Sequence, residues 1–190
     1  MNFESLPNEF FLDLFDYFDG TDLFNAFYGL NYRFNCLIDK QYRKFHFDFK
    51  SRSKRLFDMI CQQQLPNIAD RVISLDLLNA DSTPKQIDLF ISYIPSMDKF
   101  IHLRSLSLSQ LYKSELIMKI LGQCHQLPNL VYLKFRSCYL NRHNPQFQSI
   151  IDNIWSLPKL IHCRIDMYML RRGRLCMPTK LSSQHLKVYI

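Results

Sequence analysis

The chain has 190 residues, 47% of them hydrophobic, with four Gly and eight Pro; 24 Lys and Arg against 17 Asp and Glu give a formal net charge of +7. Such content is enough to bury a substantial core and excludes a low-complexity or disordered chain. The opening Met-Asn-Phe-Glu lacks a cationic start and an apolar stretch, and no apolar run reaches the roughly 18 residues of a membrane span. The expectation is therefore a cytoplasmic or nuclear protein with no membrane partner. Six cysteines, at positions 36, 61, 124, 138, 163 and 176, form no C-x-x-C pair and read as reduced thiols.

In chain order, the first predicted element is a helix from Pro7 to Phe18. Pro7 stands just inside a polar start at Ser5 and Asn8, with Glu9 behind it. On a 3.6-residue period Phe10, Leu14 and Phe18 form one apolar stripe and Phe11, Phe15 and Phe18 a second, leaving a narrow polar remainder of Glu9, Asp13 and Asp16. Asp22, Leu23 and Ala26 fit a second short helix, and Leu30, Phe34, Leu37 and Ile38 a third. Three helices in so few residues fall below the size that closes a core alone, so some apolar face is expected to dock elsewhere. The first 38 residues also hold six carboxylates against Arg33 alone, while the rest of the chain is basic, which suggests two modules with different partners.

These residues resemble the F-box: Leu6-Pro7-x-Glu9, Leu14-Phe15 with Tyr17-Phe18, Asp22-Leu23, then Leu30, Arg33, Phe34 and Leu37-Ile38. Phe34 stands where the family usually has Trp, and one extra residue lies between Leu23 and Leu30. The resemblance implies a three-helix module at residues 4–40 that docks on the adaptor Skp1 and through it on a cullin-type ubiquitin ligase. Leu6, Pro7, Phe11, Leu14, Leu23 and Phe34 occupy the matching adaptor-binding positions. Recognition would be of the helix-in-groove kind.

The remainder fits the leucine-rich pattern L-x-x-L-x-L-x-x-N/C-x-L. The best copy is Leu130, Leu133, Phe135, Cys138 and Leu140; others are Val72, Leu75, Leu77, then Leu103, Leu106, Leu108, Leu111, then Leu160, Cys163, Ile165, Tyr168, Leu170, with a further onset at Leu186. Phe45, Phe47 and Phe49 alternate with His46 and Asp48 one period earlier. Strands are thus expected near 45–49, 72–77, 103–108, 130–135, 160–165 and 186–190. Apolar residues at helical spacing fill the intervals at 52–63, 85–94, 114–124 and 146–155. The phrases Leu65-Pro66-Asn67-Ile68, Leu127-Pro128-Asn129-Leu130 and Leu157-Pro158-Lys159-Leu160 recur in step, each proline ending a helix before a strand. The expected fold is α/β: an F-box at 4–40, then a leucine-rich-repeat solenoid at 45–190 with a parallel sheet on its concave side and helices on its convex side. Both modules together resemble F-box proteins with leucine-rich repeats, in which the repeats hold the substrate.

If the strands stack in parallel, alternate side chains face the concave side. The rows are Ser74, Asp76, Leu78; Ser105, Ser107, Ser109; Tyr132, Lys134, Arg136; and His162, Arg164, Asp166. Asp76, Tyr132, Lys134, Arg136, His162 and Arg164 are the candidate substrate-binding residues, types that suit acidic or phosphorylated groups. No G-x-S-x-G elbow, H-E-x-x-H pair or phosphate-binding glycine loop occurs, so no catalytic role, metal or cofactor is expected. The expected function is a non-catalytic substrate receptor of a Skp1-cullin-F-box ubiquitin ligase. A ligase-independent interaction scaffold is the alternative. Nucleic-acid binding is third, resting on Arg142, His143, Arg171, Arg172, Arg174, Lys180 and Lys187, which no recognised nucleic-acid module accompanies.

Overall fold

The structure, a computed structural model, describes residues 3–80, 83–138, 146–167 and 187–189. Leu140, Tyr168, Leu170, Leu186 and Ile190 of the repeat pattern lie outside them, as do Cys176 and the basic residues 142, 143, 171, 172, 174 and 180.

Three helices come first: α1 (Asn8–Phe15), α2 (Gly20–Phe27) and α3 (Tyr32–Cys36), the last widening into a π-type turn at Leu37–Gln41. Helix α1 stops three residues short of the expected Phe18. Asp19 is the reason: its carboxylate caps α2 by accepting from the backbone N–H of Thr21 (2.7 Å) and Asp22 (3.0 Å), so the chain must leave α1 before it. Asn31 caps α3 in the same way through the Phe34 N–H.

The rest alternates strand and helix: β1 (Phe45–Asp48), α4 (Lys54–Met59), α5 (Leu65–Ile68), β2 (Val72–Leu78), α6 (Gln86–Tyr93), β3 (Ser105–Ser109), α7 (Ser114–Cys124), β4 (Tyr132–Cys138), α8 (Gln146–Trp155), β5 (His162–Met167) and β6 (Lys187–Tyr189). All adjacent strands pair in parallel, in the order β1-β2-β3-β4-β5-β6. Strands β3, β4 and β5 begin two residues after Leu103, Leu130 and Leu160, which are buried in the preceding turns. The Leu65-Pro66-Asn67-Ile68 phrase differs from its expected role, being itself the short helix α5, with Pro66 in the first turn where its missing N–H costs nothing.

One face of the sheet is apolar. Leu75, Leu77, Leu106, Leu108, Leu133, Phe135, Cys163 and Ile165 are buried there with Ile87, Phe90, Ile117, Ile120, Leu121, Ile150 and Ile154 of the connecting helices. The core runs without a break from Phe11 to Ile165, so the N-terminal helices and the sheet with its connecting helices share it. A ladder of rings makes the join. Phe15 meets Phe27 and Tyr42, Tyr42 meets Phe45 at 5.0 Å, and Phe45, Phe47 and Phe49 stack along β1 at 5.8 and 5.5 Å, with Phe24 of α2 laid against the first two. The apolar excess of the first helices is thus largely absorbed by β1.

Gly20 begins α2 against this ladder. A Cβ there would stand 2.6 Å from Phe47 Cε1 and 2.7 Å from Cδ1, so the stacked ring would have to move. Gly20→Ala is expected to cost about 1 to 2 kcal/mol through overpacking, read as a lower urea midpoint at unchanged m-value.

Arg52 secures the same join from outside. Its guanidinium donates to Asp22 Oδ1 (2.6 Å) and Oδ2 (2.9 Å) and to Asp19 Oδ2 (2.8 Å), and its Nε to the Asp48 carbonyl (3.4 Å). Burial raises the Asp19 carboxyl, but hydrogen bonds from Thr21 and Asp22 and the Arg52 charge outweigh it, leaving a net shift below 3.8. A folded pKa below the unfolded one adds stability above the unfolded value and loses it as pH falls through the folded one. Urea midpoints should therefore drop as pH is lowered below about 4, and Asp19→Asn should flatten that dependence while lowering stability at neutral pH.

Candidate functional site

Two surfaces carry the residues singled out above. At the N-terminal helices, the six adaptor-type positions separate by depth. Phe11, Leu23 and Phe34 are 0 to 2% exposed, Phe11 and Phe34 meeting edge to face at 5.0 Å. Buried in the chain's own core, they shape the module and offer no contact surface to a partner. Leu6 and Leu14 are half-buried and Pro7 is exposed. The large apolar side chains that do face solvent are Phe10 (45% exposed), Tyr17 (87%), Leu30 (62%) and Tyr32 (79%). Phe10 and Leu14, four residues apart in α1, share one helix face, and Leu6 precedes the helix, before the extended N-cap Pro7. Arg33 holds the chain entering this helix. It lies 5.1 Å over the Phe11 ring and donates to Asn8 Oδ1 (2.8 Å) and to the Glu4 and Leu6 carbonyls.

On the sheet face opposite the core, the parallel register aligns the predicted rows. Ser74, Ser105, Tyr132 and His162 are successive partners across β2 to β5, followed two residues on by Asp76, Ser107, Lys134 and Arg164, then by Leu78, Ser109 and Arg136. A depression of about 450 Å³ opens there, lined by all six candidate residues together with Ser105, Ser107 and Leu133. Tyr132 and His162 stack across strands at 4.7 Å, with planes 5° apart, and form one wall. Asp76 is joined by Lys50, which follows β1 and also lies 3.6 Å from Asp48. Arg164 is held by Asp166, whose two carboxylate oxygens accept from its Nε at 2.9 and 3.2 Å. Lys134 and Arg136 have no ion-pair partner among the described residues. Burial pulls the Lys134 ammonium below its ordinary value, and the neighbouring Arg136 and Arg164 charges pull the same way.

The floor is incompletely satisfied. Asp76 Oδ1 and Ser107 Oγ are buried without hydrogen-bond partners, as is Ser109 Oγ further along β3. Lys50 was not legible as part of this surface from the repeat, because it lies past the end of β1 and outside every row. At the other end of the row, His46 Nδ1 lies 2.9 Å from Ser74 Oγ, and burial together with the Lys44 charge depresses its pKa.

Among the described residues, Cys36, Cys61, Cys124, Cys138 and Cys163 are free thiols, and burial pushes Cys124 and Cys163 up to about 12 and Cys138 up to about 11. Those thiols stay protonated and unreactive at neutral pH. No group of three His, Cys, Asp or Glu side chains suited to a metal occurs among the described residues, and none of their helices is long and apolar enough to cross a membrane. Compared with protein-family models, curated proteins and solved structures, the chain has no significant match.

Proposed function

We propose that the chain is the non-catalytic substrate-receptor subunit of a Skp1-cullin-F-box ubiquitin ligase. The N-terminal helices dock on a Skp1-type adaptor, and the open face of the parallel sheet takes the target protein. The observation that carries this is the apolar surface left exposed at Phe10, Tyr17, Leu30 and Tyr32, beside Leu6, Pro7 and Leu14, after β1 has covered the inner side of the same helices. Large apolar side chains grouped at one end of a folded chain mark a partner site. The receptor would act by raising the effective concentration of target near the ligase, which needs no chemistry of its own.

The burial of Phe11, Leu23, Phe24 and Phe34 against the chain's own core favours a second reading, in which the helices only close the β1 edge of the sheet. A pull-down with purified Skp1 separates the two. Wild type should bind, and Phe10→Asp and Leu14→Asp should each weaken binding at least about tenfold by setting a charge in an apolar groove. Phe10 is the more exposed probe, its ring 45% exposed while meeting Phe11 edge to face at 5.8 Å. Salt should change the wild-type affinity little, because the contact is apolar. Equal binding by wild type and both variants would remove the docking mechanism, and an inert wild type would leave the helices as an edge cover.

A further inference from the structure

The open sheet face carries a trough along β3. Ser105, Ser107 and Ser109 form its floor, with Ser74, Asp76 and Leu78 of β2 as their partners on one side and Tyr132, Lys134 and Arg136 of β4 on the other. Short side chains between longer ones leave the depression of about 450 Å³, within the range of about 300 to 1,000 Å³ of small-molecule sites.

Several groups in this trough are unmatched, and they differ in kind. His162 covers one face of the Tyr132 ring at 4.7 Å. The other face is turned toward β3, where Ser105 is too short to cover it, and Tyr132 stays 49% exposed. Asp76 gives Oδ2 to Lys50, while its Oδ1 is buried with no hydrogen-bond partner. The Ser107 hydroxyl, on a residue 8% exposed, is also unpaired. Lys134 faces Arg164 across the strands, and like charges so placed are destabilising. Asp166 neutralises Arg164, which leaves Lys134 and Arg136 as an excess of about two positive charges.

An occupant that relieves all of these supplies a flat face, an N–H donor and about two negative charges at once. An anion alone would leave Asp76 Oδ1 and the Tyr132 face unused, and an uncharged ring would leave the cations. A nucleoside monophosphate has every part. Its base stacks on aromatic side chains, and an exocyclic amino group donates to a single acceptor. Its phosphate monoester, at about −1.5 to −2 near neutral pH, matches Lys134 and Arg136 together. The order along the trough fits as well. The four steps from Ser105 to Ser109 span about 13 Å at about 3.3 Å per residue, close to the reach of a nucleotide from base to phosphate, with Tyr132 beside the first serine and Arg136 beside the last. Adenine is the base favoured. Guanine sets two adjacent N–H groups toward a carboxylate and needs both oxygens, and Lys50 already holds one. A nucleic-acid strand needs a positive track extending along the surface. Here the row passes from Lys134 through Ser107 to Asp76 and then, on β1, to Asp48, so the basic spot is local.

We infer that this trough binds an adenine mononucleotide, with the base on the free face of Tyr132, its amino group on Asp76 Oδ1, a ribose hydroxyl on Ser107, and the phosphate between Lys134 and Arg136. The inference goes beyond the receptor reading and does not depend on it, since the adaptor-type helices lie at the other end of the chain.

The test is isothermal titration calorimetry of the full chain with adenosine 5′-monophosphate, adenosine, ribose 5-phosphate and guanosine 5′-monophosphate. Adenosine monophosphate should bind saturably, and each of the other three at least about tenfold more weakly. The Lys134→Gln/Arg136→Gln variant should bind adenosine monophosphate no better than adenosine, while its affinity for adenosine and its circular dichroism stay those of the wild type. Tyr132→Leu is the independent check if the double variant folds poorly, and it should bring adenosine monophosphate down to the level of ribose 5-phosphate. The inference is overturned by an absence of saturable binding up to about 1 mM, or by ribose 5-phosphate or guanosine monophosphate binding as tightly as adenosine monophosphate. Unchanged affinity in both variants, or an affinity for oligoadenylate that rises with its length, would overturn it equally.

Discussion

Phe47→Ala is expected to lower the unfolding free energy by about 3 to 5 kcal/mol. Phe47 is 1% exposed and stands in the middle of the β1 ladder, stacked on Phe45 (5.8 Å, 10°) and Phe49 (5.5 Å, 3°), with Phe24 of α2 at 6.1 Å and the Gly20 backbone directly against it. Truncation removes the ring's transfer energy and leaves a cavity between α2 and β1 that neither element can close. Helix α2 is anchored outside the cavity by Arg52, and β1 is held in register by β2. The loss should therefore appear in full. It should also be cooperative, because the core is continuous from the first helix to β5. A single urea transition shifted to lower midpoint is the expected readout; two transitions would mean that the N-terminal helices unfold separately from the sheet.

Arg71→Met should cost about 2 to 3 kcal/mol by a different route. Arg71 is 6% exposed, lies 5.5 Å over the Phe45 ring, and donates from Nη1 to the carbonyls of Tyr42 (2.9 Å) and Ile38 (3.2 Å). Those carbonyls belong to the π-type turn and its exit, where the chain leaves the last N-terminal helix for β1. Burial depresses the pKa of the guanidinium, the Asp70 charge acting against that shift, and no arginine becomes neutral at ordinary pH. Methionine keeps the length and apolar stem but strands two buried acceptors. Arg71→Lys should recover part of the loss, since one ammonium can reach one of the two carbonyls. Chemical denaturation of the three proteins should rank them wild type, Lys, Met. A Met variant as stable as the Lys variant would show that Arg71 acts through its stem and its ring contact alone.

The parts of the fold visible in the sequence are those with a period. Helices Ser114–Cys124 and Gln146–Trp155 could be read with both ends because their apolar spacing starts and stops there. The sheet face was equally readable. Alternation within a strand and a spacing near 30 residues between strands together fix which side chains meet, so Asp76, Tyr132, Lys134, Arg136, His162 and Arg164 could be placed on one face. Strand onsets were less so. Leu103, Leu130 and Leu160 are as buried as strand residues, yet they sit in turns, since burial follows the side chain and pairing follows the backbone.

The rest lacked any periodic signal. The pairing of Arg52 with Asp19 and Asp22, and the reach of Arg71 to Ile38 and Tyr42, span about 30 residues between unlike elements, so no local pattern encodes them. Depth in the N-terminal module was hidden for the same reason. Both stripes of α1 are apolar, and only the position of α3 and β1 decides that Phe11 turns inward while Phe10 remains outside. The same packing places Lys50 beside Asp76 and so cancels a charge that the row alone would have left open.

The most direct test of the adaptor role is amide hydrogen exchange of the full chain with and without purified Skp1. Skp1 should slow exchange at residues 6–18 and 30–34, around Leu6, Phe10, Leu14, Tyr17, Leu30 and Tyr32, and leave the strands β2 to β5 unchanged. Unaltered exchange throughout the N-terminal helices at saturating Skp1, or protection confined to the sheet, would contradict it.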